Sequence, residues 1–421
     1  MGKRRSSHGT EIKEGMIEET VELKGHIIDS LLLPKVLDQV LARGAEFEIE
    51  KIAIGVRRAD PSQARIRLRA ENKSAMEELL GAIKVHGAEA VEQEDAELLP
   101  ADVPGTFPEG FYATTNLPSL VRLGGVWLEV ENQEMDRGIV VDLARGRAVC
   151  TPMHLINRGD RVVVGHRGVR VVPLERQACG QLFGFMGSDI SPEKPKLALV
   201  REVARELWNC RSEGKKSLFV GGPAVVHTGA AESLAYLVQE GFVSVLFGGN
   251  GLAVHDIENA LYGTSLGVRL EDGATAPCGH RNHLRAINAI RRLGSIKAAV
   301  ETGLLKGGIM HACITREVPF VLAGSIRDDG PLPEVITDSV VATDAMRRHT
   351  RDAQLALVVA STLHAVAVGN ILPAKTRMVV VDINPATLTK LTDRGSFQSI
   401  GVVSDAGLFL RQLTEFLKRG C

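Results

Sequence analysis

Val243-Ser-Val-Leu-Phe-Gly-Gly-Asn-Gly-Leu252 carries the pattern that organises the second half of this 421-residue chain: an apolar run, then glycines and a small polar residue, then a helical pattern. A short continuous apolar run marks a parallel strand covered on both faces, whereas a half-solvated strand alternates. The arrangement recurs at Ser217 to Gly222, Pro319 to Gly324, Ala356 to Thr362 and Met378 to Asp382. Strands alternating with helices in this way predict an α/β parallel sheet, whose ligands bind outside the carboxyl ends of the strands. The uncharged stretch from Ala353 to Ala374 has the length of a membrane span. It contains Gln354, His364, Asn370 and Pro373, however, which are costly in lipid, and it reads as buried core.

Upstream the pattern changes. Residues 17–99 read β-α-β-β-α-β, a ferredoxin-like unit, with Leu33, Val36, Leu37, Val40 and Leu41 at helical spacing. Ala64, Ile66, Leu68 and Ala70 alternate with Arg65, Arg67 and Arg69, so one strand face is cationic. An RNA-reading sheet of that kind needs stacking aromatics, which this strand lacks, so the face reads as solvated or as an oligomer contact. Residues 100–192 read as a β-rich middle domain and linker, with a hairpin expected through Gly165 to Gly168 and a boundary at Ser191 to Pro195. Residues 193–421 form the nucleotide-type domain, and residues 1–16 read as disordered.

Composition narrows the function. Lys+Arg 50 against Asp+Glu 51 leaves no field for a polyanion or an acidic membrane, so neither nucleic acid nor membrane is an expected partner. Aromatics at 4% beside 43 glycines suit a fold built from many tight strand-to-helix turns. The 6 cysteines show no C-x-x-C pair, which argues against a zinc ribbon and for a reducing cytoplasm; no metal is expected.

Several strand ends carry chemistry. Gly248 to Gly251 lets backbone amides approach a phosphate at a helix start, or is a simple tight turn. Ser361-Thr362-Leu363-His364 offers hydroxyls at a second end. Asp382-Ile383-Asn384 closes a third, where a carboxylate accepts ribose hydroxyls and favours NAD over NADP, or caps a helix. Asp256, on the helix after Asn250, is a candidate base, and Cys278-Gly-His-Arg-Asn-His283 is the densest polar cluster. There Arg281 and Asn282 suit a substrate carboxylate and His280 a proton relay, while the same residues also serve as helix caps. Asp328 and Asp329 follow another strand and reach toward a ribose or amine, or form a charged turn; Cys278 and Lys306 rank lower.

Residues 355–407, including L-A-L-V-V-A-S-T-L-H, M-V-V-V-D-I-N-P and I-G-V-V-S-D-A-G, resemble the closing half of the NAD-binding domain shared by sirtuins and deoxyhypusine synthase. That resemblance implies that Ser361 to His364, Asp382 to Asn384 and the final strand end at Val403, Ser404 and Asp405 hold the dinucleotide. The sirtuin zinc ribbon and the synthase's lysine motif are absent, so their activities are not implied. From residue 17 to 421 the layout, with G-G-N-G and P-C-G-H-R-N-H-L, resembles the archaeal-type ornithine cyclodeaminase family, whose first domain is named after lysine-ketoglutarate reductase/saccharopine dehydrogenase. This resemblance implies a lyase of proline biosynthesis that turns ornithine, a small amino acid, into proline and ammonia with internally recycled NAD; a homo-oligomer is expected from the cationic strand face alone. It also resembles the C-terminal part of cyanobacterial arginine dihydrolase/ornithine cyclodeaminase. The alternatives are another NAD-dependent dehydrogenase or lyase of lysine or saccharopine type, and a non-catalytic NAD-responsive binding protein.

Overall fold

The structure, a computed structural model, describes residues 16–28, 30–57, 60–90, 94–173, 196–276, 279–328, 330–388 and 399–420, with the backbone alone at Ala90, Lys196, His280 and Ser399. Most of the expected N-terminal segment, the boundary at Ser191 to Pro195, Cys278 and Asp329 lie outside the described residues. The chain forms two compact units, Met1–Gln181 and Leu182–Cys421.

In the first unit, β1 (Ile17–Gly25), β2 (Glu46–Ala53), β3 (Ser62–Ala70) and β4 (Glu89–Ala90) form a sheet of order β2-β3-β1-β4, with helices Leu32–Ala42 and Lys73–Lys84 between strands. That is the expected β-α-β-β-α-β unit. Ala64, Ile66, Leu68 and Ala70 are buried against Val36, Val40, Leu79 and Ile83 of the helices. The arginine face is already paired across the strands. Arg69 meets Glu18 at 2.7 Å, Arg65 meets Glu50 at 3.1 Å, and Arg67 also bonds Glu50. Cross-strand ion pairs of this kind neutralise the stripe, which removes it as a polyanion surface.

The middle region supplies β5 (Glu97–Pro100), β6 (Ser119–Leu123), β7 (Val126–Glu131), β8 (Gly138–Asp142), β9 (Arg147–Thr151), β10 (Arg161–Val164) and β11 (Val169–Val171), in the order β11-β6-β7-β9-β8-β10-β5. The expected hairpin through Gly165 to Gly168 does not form. β10 pairs with β5 and β8, while β11 pairs with β6. The intervening loop is held elsewhere, Gly165 N–H donating to Gly110 O at 2.8 Å and Arg122 N–H to Gly168 O at 2.7 Å.

The second unit contains β12 (Lys216–Gly221), β13 (Val245–Gly249), a short hairpin of β14 (Thr264–Ser265) and β15 (Val268–Arg269), then β16 (Phe320–Ala323), β17 (Val335–Ile336), β18 (Ala353–Val359), β19 (Arg377–Asp382) and β20 (Ser399–Val403). Seven of these build a parallel sheet of order β17-β16-β13-β12-β18-β19-β20. Its strands are apolar throughout because both faces are covered. Leu355, Leu357 and Val359 of β18 enter a core with helices Lys196–Ser212, Ala231–Gln239, Asn250–Tyr262 and Ala406–Arg419. Ala356 and Val358 enter a second core with Ala345, Met346, Ala365 and Val368. The chain winds outward from β12 to β17, then returns to the other side of β12 as β18. The strand order therefore reverses between β12 and β18, where an open sheet leaves its crevice.

Candidate functional site

Gly222 lies at that reversal. Its amide donates to Val359 O at 2.9 Å, and a Cβ built on it would stand 1.8 Å from Ala360 O. The backbone of the neighbouring strand occupies the space a side chain would need, so the crevice has a bare glycine wall. Ala360 itself is held at φ 52°, a left-handed conformation that a non-glycine residue adopts at a cost of about 1–3 kcal/mol. Such strain accumulates at functional sites.

Ser361 follows and accepts no hydrogen bond from the first turn of helix Thr362–Ile371. Its hydroxyl is 2.8 Å from Nδ1 of His364. The His364 ring closes over Gly249, where a Cβ would meet Cε1 at 3.3 Å, and burial lowers its pKa, so it is neutral at pH 7. On the next strand end Asp382 Oδ1 accepts from the Asn384 amide at 2.8 Å, and Oδ2 has no hydrogen-bond donor among the described residues. Ser404 N–H donates to Asp382 O at 3.1 Å, bringing Val403 and Ser404 beside it, while Asp405 caps helix Ala406–Arg419 through the Leu408 amide. Leu363, in the first turn of helix Thr362–Ile371, and Ile383, just after β19, are 75% and 72% exposed. An apolar pair, a carboxylate with an open oxygen and a glycine wall too tight for a Cβ together fit a dinucleotide: adenine, ribose and pyrophosphate in that order of chemistry.

Asn250 and Gly251 serve differently. The helix starts at Asn250, two residues before the periodicity suggests, and the buried Asn250 side chain accepts from Leu332 N–H at 3.1 Å. It pins the loop after β16. A Cβ on Gly251 would meet only Pro223, at 3.7 Å. Gly251→Ala is therefore expected to leave thermal stability unchanged or raise it by about 0.5–1 kcal/mol, as alanine for glycine in a helix does. NAD titration of the same variant should show weaker binding if the turn faces the cofactor, and unchanged affinity removes Gly251 from the site.

The structure gives Asp256, the candidate base, two main-chain partners. It is fully buried, and both carboxylate oxygens are occupied at 2.8 Å by the amides of Ile309 and Met310. Burial raises its pKa to about 6 against those two bonds. It anchors the start of helix Ile309–Thr315. The neighbouring face of the same helix does carry acid-base groups. Glu258, 0% exposed, accepts from Nδ1 of His255 (2.9 Å), from Thr264 Oγ1 (2.8 Å) and from the Leu266 and Gly267 amides. Burial works to raise the Glu258 pKa, but these donors outweigh it and leave it below the ordinary value. His227 stacks edge-on to His255 with centroids 4.7 Å apart, and His283 lies 6.4 Å from His255. Three imidazoles around one buried carboxylate can move protons.

His255, Glu258 and His227 were not among the candidates read from the sequence. The usable signal was the i, i+3 spacing of His255 and Glu258 after the glycine turn, with His227 one turn beyond Gly222. Asn282 is buried, donating to Thr264 Oγ1 at 3.0 Å and accepting from Arg285 at 3.2 Å, so it braces the cluster. Arg281 is exposed at the start of helix Asn282–Leu293; Lys306 is exposed too, and Asp328 closes a turn onto the Ser325 amide at 2.8 Å. Of His280 only the backbone, in Gly279–Arg281, is described. No group of His, Cys, Asp and Glu able to hold a metal occurs among the described residues.

The cluster has a pH signature. Burial, reinforced by His255, lowers the His227 pKa to about 4 from 6.5. A depressed histidine contributes stability that is complete above the unfolded value and is lost as pH falls toward the folded one. The thermal midpoint is therefore expected to fall between pH 6.5 and pH 4, and His227→Asn should flatten that fall; identical slopes would show that His227 takes no part.

Three family models match in succession: residues 18–117 the LOR/SDH bifunctional enzyme conserved region, 118–200 the first region of the arginine dihydrolase ArgZ-like C-terminal part, and 201–413 its Rossmann-fold region. An ornithine cyclodeaminase of Methanocaldococcus jannaschii is 49% identical over 410 residues, covering 96% of this chain and 97% of that protein. The crystal structure of apo ArgZ, a cyanobacterial arginine dihydrolase, superposes with a TM-score of 0.85 at 36% identity, covering 99% of this chain and 60% of that one. The ternary complex of AgrE with ornithine and NAD+ matches with a TM-score of 0.53 at 38% identity, covering 98% and 59%. The chain thus spans about three-fifths of the cyanobacterial proteins and nearly all of the archaeal one.

Proposed function

The chain belongs to the archaeal ornithine cyclodeaminase family, and from that premise we propose how its residues convert L-ornithine to L-proline and ammonia with NAD used and regenerated in each turnover. The dinucleotide, when bound, supplies reversible oxidation of the ornithine α-carbon. Gly222, Ser361, Thr362, His364 and Asp382 would hold it, with Leu363 and Ile383 against the base. One substrate nitrogen leaves as ammonia and the other closes the ring, so protons must be taken up and returned at nitrogen. His255 does this at Nε2, because its Nδ1 proton is donated to Glu258 and that bond fixes ring and tautomer. Arg281 pairs with the substrate carboxylate.

The observation that carries this reading is the buried Glu258–His255 pair on the helix that begins at the crevice, since a carboxylate-oriented imidazole beside a dinucleotide crevice is acid-base equipment. Purified protein given ornithine and catalytic NAD should release proline and ammonia with no net NADH. Net NADH would mean a dehydrogenase, and NAD binding without turnover would mean a sensor. The wider setting is also a proposal. Free buried Cys150, Cys210 and Cys313 suit a reducing cytoplasm, and Ile52, Ile54 and Val56, exposed at or beside edge strand β2, suit self-association of identical chains. No helix among the described residues is long and apolar enough to cross a membrane.

A further inference from the structure

The first unit contains a cavity of about 280 Å³ between helix Lys73–Lys84 and the segment Val164 to Arg170. Its charged lining is unevenly satisfied. Arg170 pairs with Glu89 at 2.8 Å and stacks on Trp127 at 4.3 Å, and Arg167 pairs with Glu94 at 2.7 Å. Lys84 makes no close ion pair among the described residues, Glu89 acting on it only at longer range: its ammonium donates to the main-chain oxygen of His166 and lies 6.0 Å from the centroid of the Tyr112 ring. Nδ1 of His166, in the same wall, is buried without a hydrogen-bond partner. A withdrawn ammonium whose one close acceptor among the described residues is a carbonyl can take a carboxylate from the cavity beside it.

We propose that this cavity binds a free amino acid, its α-carboxylate held by Lys84 and its ammonium received by Glu77, which lines the same cavity. The size supports a small metabolite, since pockets for drug-sized ligands begin near ~300 Å³. The composition supports a zwitterion: Lys84 supplies one charge, Glu77 on the same helix supplies the other, and Met76 and Leu80 line the space with apolar surface. Burial pushes the Lys84 pKa down to about 7 and that of His166 to about 4, so His166 stays neutral and Lys84 gains its full charge when a carboxylate arrives.

The chain has 2 tryptophans, Trp127 in the cavity wall and Trp208 in the second unit, so Trp208→Phe leaves Trp127 as a local reporter. Without NAD, the full-length variant is titrated with L-proline, L-ornithine, L-arginine and L-glutamate, and with the amide of each. At least one amino acid should change Trp127 emission saturably and its amide should not. Adding Lys84→Met should weaken that binding at least about tenfold, and Lys84→Arg should keep it. NAD titration, unchanged in all variants, reports that they fold. The proposal is overturned if no amino acid moves the emission, if the amide binds equally well, or if Lys84→Met binds as before.

Discussion

His255→Asn is expected to slow proline formation from ornithine about a thousandfold, within the ~10²–10⁴ range of a lost general acid-base group and equal to about 4 kcal/mol of barrier. Asparagine keeps an amide that can donate to Glu258, so the buried carboxylate retains a partner, but it has no basic nitrogen in place of Nε2. NAD affinity should stay within about twofold, because no crevice residue is altered. Steady-state turnover and NAD titration on the same preparation separate the two effects. If the variant keeps more than a tenth of the activity, the proton is carried elsewhere, and His227, 4.7 Å away ring to ring, becomes the first alternative.

Gly222→Ala should abolish NAD binding to the limit of titration, at least about a hundredfold or 2.7 kcal/mol, and should lower stability by about 3 kcal/mol. The added methyl would stand 1.8 Å from Ala360 O, well inside contact distance, and the two strands cannot part without breaking the Gly222 N–H to Val359 O bond. Both walls of the crevice would move. NAD titration gives the first effect and thermal denaturation the second. Gly249→Ala is the comparison, because its methyl meets only the His364 ring edge and Ala323 O at 3.3 Å and beyond, which a side-chain shift absorbs. Normal NAD binding by Gly222→Ala would move the cofactor away from this strand end.

The parallel sheet was legible because its signal is local. Ala353–Val359 is apolar at nearly every position, and only a strand covered on both faces tolerates that. β17 (Val335–Ile336) was missed because two residues make no pattern. The hairpin expected at Gly165 to Gly168 failed for a different reason: turn residues specify a reversal of the chain, while the pairing partners are chosen by distant strands that the local text does not mention. Asp256 shows the same limit at the site. Its identity and its place after a glycine turn suggested a base, and only the return of helix Ile309–Thr315 against it shows that it also anchors main-chain amides. His255 and Glu258 had the better credential, a shared helical face, but their value depends on Thr264 and on the amides of the following hairpin.

Leu357 and Val358 are joined by one peptide bond, yet their side chains belong to different cores. The sheet acts as a partition, and neighbours in the text are strangers in energy: a change of volume at Leu357 is felt by helices such as Ala406–Arg419, and one at Val358 by helices such as Thr362–Ile371. Substitutions on opposite sides share few partners, so their costs should add, while residues far apart in the chain but on one side, such as Leu357 and Phe409, are the ones whose changes must be made together. The layer that carries the imidazole cluster can therefore be repacked without disturbing the layer behind the crevice.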